Sequence, residues 1–378
     1  MEINEIRTQI DDVDQKMLEL FLRRMELSEL VAEYKQAHGL PILNRQRERE
    51  ILSRVCEKAG DKEEYAYYMF SRIFDLSKAR QKELISAPTQ VSGRIAAALA
   101  NPAESFPKTG LVACQGTEGS NAQAACDKFL PRGQIIYVKN FRAVFDAVGS
   151  GLCKYGVVPL ENSTNGSVRA VYELLREKKF AIVRSVNMNI RHELLAVPGA
   201  ELKDIREIYS HQQAIGQCSR FLAKLDGVKI IPCENTAVAA KMAAESHDRG
   251  VAAIASPQCE VLYGLKPLAA DIQDNDNNYT RFVCIEKEPV IYPGSNRISL
   301  MFSCDNKPGA LGDILSKLAV HGVNMSKLES YPVSGRNFEY MFFMELDAGV
   351  QEPGIIPMLE DLERSCLSFD FLGSYSAV

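Results

Sequence analysis

The hydrophobic period of this 378-residue chain changes twice, and these changes restrict its fold more than any other feature. Residues 1–86 carry apolar residues at helical spacing, with a break at Gly39 and Pro41. From Leu111, short apolar runs alternate with helical stretches, which predicts α/β architecture with largely parallel sheets. From Arg297 the order becomes strand, helix, two strands, helix and strand, the βαββαβ arrangement of ferredoxin-like folds.

We therefore predict a multidomain protein of all-α and α/β parts, because a chain of this length exceeds one ordinary core. The predicted parts are an all-helical domain at residues 1–86, a linker with one short helix at 87–108, an α/β domain of one sheet or two lobes at 109–287, and a βαββαβ domain at 296–376.

Composition and short motifs exclude several classes of protein. The net charge of −5 argues against nucleic acid as the main partner, and no apolar run approaches the length of a membrane span. We expect a cytoplasmic protein, because the N-terminus also lacks an apolar signal segment. Ten scattered cysteines indicate reduced thiols, and the five histidines lack metal-ligand spacing. The sequence has neither a G-x-G-x-x-G motif nor a P-loop, so it signals no nucleotide site.

The first predicted helix places two cations in the middle of its apolar stripe. Arg24 and Lys35 lie three turns apart, about 16 Å along the axis, so their side chains can enclose a small anion. Burying a charge is unfavourable unless it is paired or bound to a ligand. The apolar residues of this stripe are Ile6, Ile10, Val13, Met17, Phe21 and Val31.

The next two helices also place polar residues among apolar ones, namely Asn44, Arg47 and Glu48 on the second and Ser77 and Gln81 on the third. One interpretation is an internal salt-bridge cluster, for example Arg24 with Glu48. The other is a polyanion pocket with apolar walls. Arg7 lies about 25 Å from Arg24 along the helix, so it can reach such a pocket only in an antiparallel partner chain. A site that uses Arg7 therefore requires a dimer.

The stretches "IRTQIDDVDQKMLELFLRRMELSELVAEYK", "LNRQRERE" and "SKARQ" resemble the all-helical chorismate mutase domain, in which two chains form each pocket. The resemblance implies that Arg24 and the partner subunit's Arg7 bind the carboxylates of chorismate. It further assigns Lys35 and Gln81 to the ether oxygen and Glu48 to the hydroxyl, with Arg47 and Ser77 assisting. Asn44 stands where this family often has Asp.

The middle segment has polar residues at four predicted strand ends. Since ligands collect at the carboxyl ends of strands in α/β sheets, these residues predict a shared cleft. Each alone has another explanation, because Asn and Ser after strands commonly form turns or helix caps. The residues are Glu161, Asn162, Ser210, His211, Gln213, Gln217, Glu234, Thr280 and Arg281.

The order and spacing of these residues, together with "LYGL" at 262–265, resemble prephenate dehydratase. The resemblance implies two α/β lobes with the substrate between them and Thr280, of the Thr-Arg-Phe motif, as a catalytic hydrogen-bond donor or proton relay. It assigns further catalytic roles to Asn162, Gln217, Glu161, Ser210 and Glu234. Arg281 is a candidate for binding a carboxylate, or it pairs with a neighbouring acid. Further substrate-binding candidates are Ser120, His211 and Gln213.

The stretches "KPGALGDIL" and "LESYPVSG" resemble the ACT domain, which binds phenylalanine between paired domains. Gly309, Ala310 and Leu311 match its Gly-Ala-Leu motif, and Glu329 and Ser330 match its Glu-Ser-Arg-Pro motif. Tyr331 stands where that motif has Arg. The alternative is a helix cap beside a β-bulge.

The three resemblances together imply a bifunctional enzyme of phenylalanine biosynthesis that converts chorismate to prephenate and prephenate to phenylpyruvate, with phenylalanine as effector. They imply a homodimer or a dimer of dimers and no cofactor. Two alternatives stay open. An arogenate dehydratase would act on the amino counterpart of prephenate, and a small-molecule sensor would bind ligands without turning them over.

Overall fold

The computed structural model describes residues 2–85, 87–332 and 340–378. Two parts of the predictions lie outside the described residues, namely the first two residues of the predicted strand "FEYMFFMELD" and the end of "LESYPVSG". The chain forms two compact units, which are described separately. The first comprises residues 1–93, 308–322 and 353–366, and the second comprises residues 94–307, 323–352 and 367–378.

The α-helices are spread along the described chain, and a 3₁₀ turn at Gly60–Lys62 joins the second helix to the third. In chain order they are α1 (Ile3–Ala37), α2 (Arg45–Ala59), α3 (Glu63–Ile85), α4 (Gln90–Ala100), α5 (Asn121–Phe129), α6 (Phe141–Gly149), α7 (Arg169–Lys178), α8 (Gln212–Gln217), α9 (Ser219–Leu222), α10 (Thr236–Ser246), α11 (Gln258–Tyr263), α12 (Ala310–Val320) and α13 (Ile355–Ser365).

The strands all belong to the second unit. They are β1 (Leu111–Gln115), β2 (Gln134–Val138), β3 (Tyr155–Asn162), β4 (Gly166–Ser167), β5 (Ala181–Asn189), β6 (Glu193–Ala196), β7 (Glu207–His211), β8 (Lys229–Cys233), β9 (Val251–Ala255), β10 (Lys266–Ala269), β11 (Tyr279–Glu286), β12 (Arg297–Ser303), β13 (Met325–Pro332), β14 (Tyr340–Leu346) and β15 (Ser368–Ala377).

The first unit is built on α3, which packs against both α1 and α2. The buried residues of α1 are Ser28 and Ala32, both in its second half, and Phe74 of α3 is also buried. Helix α2 begins after Asn44, whose side chain accepts a hydrogen bond from the Arg47 N–H at 3.0 Å. The predicted break at Gly39 and Pro41 lies between α1 and α2, because helical periodicity and helix-breaking residues are local signals.

The two helices of the last segment belong to this first unit. Helix α13 packs against α12 and also contacts α3. Its acidic side chains Glu360 and Glu363 lie 3.3 and 3.2 Å from the backbone N–H groups of Thr89 and Val91. These contacts connect α13 to the predicted linker, whose one expected helix is α4.

The second unit holds a ten-stranded sheet and a five-stranded sheet. Within the middle segment, β1 is parallel to β2 and β3, and β7 is parallel to β8 and β9. The chain crosses from the large sheet to the small one after β5 and returns as β11, which makes the middle segment two-lobed. The prediction of largely parallel sheets is only half right, because β11 is antiparallel to β3 and β5, as is β6 to β9 and β10.

The large sheet continues from the middle segment into the last one, in the order β13-β14-β12-β15-β5-β11-β3-β1-β2. Strand β15 reaches β5, where Ser376 and Ala377 pair with Arg184 and Ser185. Gly373 permits this close approach, since a Cβ atom there would lie 2.2 Å from the Ile182 carbonyl oxygen. The sequence pattern did not predict that one sheet spans both segments.

Candidate active sites and effector region

Arg24 is a half-buried cation that contacts a hydroxyl and an aromatic ring. Its Nη1 donates to the Ser77 hydroxyl, and the guanidinium carbon lies 5.3 Å from the Phe74 ring centroid. The Ser77 hydroxyl donates to the Ile73 carbonyl at 2.9 Å, which leaves its lone pairs for Arg24. Burial lowers the pKa of Arg24. The salt-bridge alternative is wrong in its named example, because Glu48 lies 3.3 Å from Lys78 Nζ instead.

Lys35 is held at the other end of the same face. Its Nζ lies 2.5 Å from the Ile42 carbonyl oxygen and 3.3 Å from Gln81 Oε1. Gln81 is buried, and its Nε2 donates to the Ser28 hydroxyl at 2.8 Å, so the amide oxygen faces Lys35. Burial lowers the pKa of Lys35, while Glu48 acts in the opposite direction. Arg24, Lys35, Ser77 and Gln81 thus lie along one wall of α1 and α3.

Three predicted residues do not join this wall in the single chain. Asn44 caps α2 through its side chain, which explains a polar residue at that position without a ligand. Arg47 is exposed and lies 3.4 Å from Glu50 on its own helix. Arg7 is exposed on the half of α1 that has no buried residue.

The first half of α1 carries an uncovered apolar stripe. Residues 2–20 are all exposed, although Ile6, Ile10, Val13 and Met17 repeat at helical spacing. Between 38% and 52% of the surface of each of these four side chains is accessible. A contiguous exposed apolar surface of this kind is typical of an interface with another chain.

A cleft of about 230 Å³ opens between the two lobes of the second unit. None of the described residues that line it is a lysine or an arginine. Its polar lining consists of amides, hydroxyls, two histidines and one carboxylate. The lining residues are Gln115, Ser120, Asn121, Ala122, Pro159, Asn162, Ile190, His192, His211, Gln213, Ala214, Gln217, Glu234, Asn235, Thr236, Thr280 and Phe282.

Thr280 and Asn162 stand opposite each other on the paired strands β11 and β3. Asn162 Nδ2 donates to Thr280 Oγ1 at 2.9 Å. Because an amide nitrogen cannot accept a hydrogen bond, the Thr280 oxygen is the acceptor and its O–H is available to the cleft. Asn162 Oδ1 accepts from the backbone N–H groups of Thr164 and Asn165, both at 3.0 Å, and so fixes the loop after β3.

Gln217 is held by two residues that the sequence did not single out. His192 Nε2 and Asn278 Nδ2 each lie 2.9 Å from Gln217 Oε1. His192 is buried, which lowers its pKa, although the hydrogen bond to Gln217 acts in the opposite direction. The sequence signal for each residue was weak. His192 is a lone histidine, and Asn278 only precedes the Thr-Arg-Phe motif by two residues.

The other predicted lining residues lie at helix starts or on the cleft surface. Ser120 caps α5 by accepting from the Gln123 N–H at 3.3 Å. His211 caps α8, where its Nδ1 accepts from the Gln213 N–H at 3.2 Å. Gln213 and Glu234 also line the cleft. Capping and cleft lining coincide here, because these helices begin at the carboxyl ends of the strands.

Arg281 and Glu161 are not cleft residues, contrary to their predicted roles. Successive side chains of a strand point to opposite faces, so the neighbours of Thr280 and Asn162 face away from the cleft. Arg281 forms two 2.6 Å contacts with the carboxylate of Glu345, and its Nε lies 3.1 Å from Glu161 Oε1. Burial lowers the pKa of Arg281, but Glu345 together with Tyr375 and Glu161 raises it more, so the net pKa lies above the ordinary value. Of the two roles expected for Arg281, these contacts support pairing with a neighbouring acid over binding a substrate carboxylate.

Ser210 is also absent from the cleft lining. It is fully buried in β7, and its hydroxyl donates to the Ile254 carbonyl of β9 at 2.8 Å. This hydrogen bond gives the hydroxyl a role within the small sheet. The prediction failed because position 210 lies before the end of its strand and faces the interior.

Glu329 and Lys327 of β13 contact the middle segment. Lys327 Nζ donates to Glu161 and lies 3.2 Å from the Ser167 hydroxyl, which in turn donates to Glu329. Burial raises the pKa of Glu329, but the hydrogen bond from Ser167 and the charge of Lys327 outweigh it, so the net pKa is lowered. The Tyr331 ring stacks on Tyr172 with 5.0 Å between centroids. The effector candidate Glu329 is therefore linked to the strand that carries Asn162.

The remaining effector candidates lie at ordinary structural positions. Gly309, with φ of +88°, caps α12, whose first turn holds Ala310 and Leu311. Ser330 pairs with Phe342 in the sheet. Strand β13 also shifts register between residues 325 and 327. Both parts of the alternative, a helix cap and a β-bulge, are thus present in this segment.

Two further properties concern the described part of the chain. No helix in it is both long enough and apolar enough to cross a membrane. In the same residues, no three side chains of His, Cys, Asp or Glu are grouped as metal ligands.

Comparison with known families defines the class of the chain. The model described as chorismate mutase type II matches residues 6–82, and the model described as prephenate dehydratase matches residues 112–290. The ACT domain model matches residues 298–364. The chain is thus a multidomain enzyme with a helical mutase domain, an α/β dehydratase domain and an ACT domain.

Individual relatives extend this match to the whole chain. The bifunctional chorismate mutase/prephenate dehydratase of Aquifex aeolicus is 30% identical over 377 residues, which cover 99% of this chain and 98% of the relative. The arogenate dehydratase/prephenate dehydratase 2 of Arabidopsis thaliana is 36% identical over 276 residues, 70% of this chain and 72% of the relative. The chain belongs to the family of bifunctional chorismate mutase/prephenate dehydratases.

One solved structure shares the fold of the last two segments. It is the prephenate dehydratase of Arthrobacter aurescens in complex with L-Phe. Its TM-score is 0.64 at 29% identity, and the match covers 70% of this chain and 89% of that one.

Proposed function

We propose that Arg24, Lys35, Ser77 and Gln81 form one wall of the chorismate mutase pocket and that Thr280, Asn162 and Gln217 form the catalytic centre of the prephenate dehydratase cleft. The chain carries both activities as a member of its family, and these residue roles are our assignment. The observation that carries the first assignment is a pair of half-buried cations on an apolar wall, of which Arg24 has no carboxylate partner among the described residues.

The mutase reaction suits this wall. The rearrangement of chorismate needs no nucleophile and no base. It needs a dianion held in a compact conformation and donors where negative charge grows on the ether oxygen. Arg24 supplies a guanidinium for a carboxylate, and Lys35, whose Nζ lies 3.3 Å from the Gln81 amide oxygen, supplies a donor about three helical turns away.

A second copy of the chain completes the mutase pocket in our proposal. The uncovered stripe of Ile6, Ile10, Val13 and Met17 supports a partner helix on this face, and Arg7 lies on the same half of α1. An antiparallel arrangement places the partner subunit's Arg7 near Arg24 and Lys35. The interface is isologous, so each dimer has two such pockets.

Mixing two inactive variants tests the shared pocket. Arg7→Ala and Lys35→Ala should each lack mutase activity alone. After subunit exchange, a mixed dimer holds one pocket with both lesions and one intact pocket, so the mixture should recover about a quarter of wild-type activity. A mixture that stays inactive after demonstrated exchange would place Arg7 and Lys35 in one chain's site. Unaltered dehydratase activity in each variant serves as the control for folding.

The dehydratase reaction suits the polar cleft. The bond between the ring and the carboxylate breaks and releases carbon dioxide, and its electron pair moves into the ring. The ring hydroxyl leaves as hydroxide and takes up a proton to become water. The O–H of Thr280 is available as a hydrogen-bond donor to that leaving group, because its oxygen accepts from Asn162. Since no lysine or arginine is among the described lining residues, the departing carboxylate is weakly stabilised, which favours its loss.

Arogenate is the second candidate substrate, and the similarity to the Arabidopsis thaliana enzyme favours testing it. Arogenate carries an amino group where prephenate has a keto group. We propose prephenate as the preferred substrate, because the chain also matches a mutase domain that forms it. Comparing kcat/KM for the two purified substrates decides the preference. Binding of either substrate without turnover would instead favour a sensor.

Phenylalanine is the proposed effector of the last segment, as the L-Phe complex of the Arthrobacter aurescens relative suggests. The contacts of β13 support a route to the cleft. Lys327 bonds Glu161, which directly precedes Asn162 on β3. A ligand that displaces Glu329 or Lys327 would therefore alter the strand that positions Thr280.

A further inference from the structure

A chain of hydrogen bonds runs beneath the dehydratase cleft and has Asn278 at its centre. The chain links His192, Gln217, Asn278, Asn162 and Thr280 through four contacts of 2.9 Å each. Asn278 is 1% exposed and does not line the cleft. It contacts two residues that do, Gln217 and Asn162.

The direction of every bond in this chain follows from two backbone groups. Asn162 Oδ1 accepts from the N–H groups of Thr164 and Asn165, which can only donate. The Nδ2 end of Asn162 therefore faces Asn278 and Thr280, so Asn278 presents its oxygen to Asn162. The amide orientation is thus fixed by the backbone and does not depend on how the side-chain amide is assigned.

The same constraint reaches Gln217. Since the Asn278 oxygen faces Asn162, its Nδ2 donates to Gln217, and Gln217 must present Oε1. His192 Nε2 also approaches that oxygen and therefore carries the hydrogen. With its oxygen occupied twice, Gln217 has its NH₂ group left for the cleft.

We propose that Asn278 is a positioning residue of the dehydratase, which passes the fixed orientation of the Asn162 amide on to Gln217 and makes Gln217 present N–H donors to the substrate, beside the O–H donor of Thr280. This inference rests on the proposed roles of Thr280 and Gln217. Both donors matter because the described cleft lining offers an anionic substrate no lysine or arginine. Reversing the Gln217 amide would present its oxygen to the substrate carboxylate, and reversing the Asn162 amide would draw the Thr280 O–H away from the leaving hydroxide.

Asn278→Asp tests the direction of these hydrogen bonds with almost no change in the shape of the side chain. An aspartate at this position still accepts from Asn162 but cannot donate to Gln217 Oε1 when ionised. The Gln217 amide then reverses and presents its oxygen to the substrate, while His192 moves its hydrogen to Nδ1 and accepts at Nε2. We expect the dehydratase kcat to fall about 10²-fold, with a smaller change in KM and unchanged mutase activity. Asn277→Asp, the same change on the exposed neighbouring residue, is the matched control and should keep wild-type kinetics.

A double-mutant cycle separates positioning from general structural support. In a Gln217→Met background, Asn278→Asp should lower kcat much less than in the wild type, because the amide it orients is gone. Fully additive losses would overturn the proposal. So would an Asn278→Asp enzyme with wild-type kcat. A wild-type protein that fails to convert prephenate would refute the proposed function before this comparison begins.

Two uncharged variants keep the test decisive if Asn278→Asp does not fold, as loss of mutase activity would reveal. The hydroxyl of Asn278→Ser can accept from Asn162 while donating to Gln217, whereas Asn278→Ala can do neither. We expect a higher kcat for Asn278→Ser than for Asn278→Ala at similar KM. Equal kcat values for the two would contradict a role in orienting Gln217.

Discussion

Replacing Arg281 by methionine is expected to destabilise the second unit while leaving the chemistry of the cleft in place. The Arg281 side chain is 10% exposed and the Glu345 side chain 1%, and the two contacts between them are 2.6 Å long. Methionine retains much of the apolar stem of arginine. It leaves the buried Glu345 carboxylate with the more distant Arg297, at 4.0 Å, as a counter-ion.

The expected loss of unfolding free energy depends on the contacts that the Glu345 carboxylate retains. Removing one partner of a buried ion pair typically costs about 3–5 kcal/mol of unfolding free energy. The Tyr375 and Ser299 hydroxyls still reach the carboxylate at 3.0 and 3.3 Å. We therefore expect a loss near the lower end of that range, about 3 kcal/mol.

The assay is urea unfolding followed by circular dichroism, since the chain has no tryptophan to report by fluorescence. The matched control is Arg142→Met, which breaks an equally bidentate but exposed contact with Glu177 and should unfold close to the wild type. Folded Arg281→Met should keep prephenate turnover within about tenfold, because its side chain points away from the cleft. If Arg281→Met loses no more unfolding free energy than Arg142→Met and prephenate turnover is abolished, the structural role of Arg281 is contradicted. Arg281 would then be a substrate-binding residue.

Three further predictions concern the two sites and their link. Lys35→Ala should lower mutase activity about 10²-fold or more and spare the dehydratase, and Thr280→Ala should do the reverse. Separate assays with chorismate and prephenate check this, and loss of both activities in either variant would instead indicate misfolding. Lys327→Met should raise the phenylalanine concentration for half-inhibition at least about tenfold with little change in uninhibited rate, and unchanged inhibition would exclude the β13 route. Burial lowers the pKa of His192, so the unfolded chain binds its proton more readily and stability should fall as the pH drops below 6.5. His192→Gln, which keeps a donor for Gln217, should flatten this fall in urea midpoints, and parallel profiles would contradict it.

Local patterns in the sequence predicted most elements of the fold. Helix periodicity located α1, α2 and α3, and the polar residues at strand ends located the cleft. Two of the failures have one physical source, because strand neighbours point to opposite faces. Arg281 follows Thr280 and Glu161 precedes Asn162, so neither can share the cleft with its neighbour.

Other features depend on tertiary contacts that leave little trace in the sequence. Asn278 and His192 are buried polar residues whose roles follow from partners 61 and 25 positions away. The continuous sheet depends on one close approach at Gly373. In contrast, the uncovered stripe of α1 was visible as an ordinary amphipathic pattern, and only the structure shows that the single chain leaves it exposed.

The most direct test of this account gives the purified protein chorismate alone and follows chorismate, prephenate and phenylpyruvate separately, with and without phenylalanine. We expect phenylpyruvate to appear, which requires both sites to work in one protein, and phenylalanine to suppress its formation. Prephenate accumulating without phenylpyruvate would contradict the assignment of the Thr280 cleft as a working dehydratase. Chorismate that is not consumed would contradict the mutase assignment of Arg24 and Lys35.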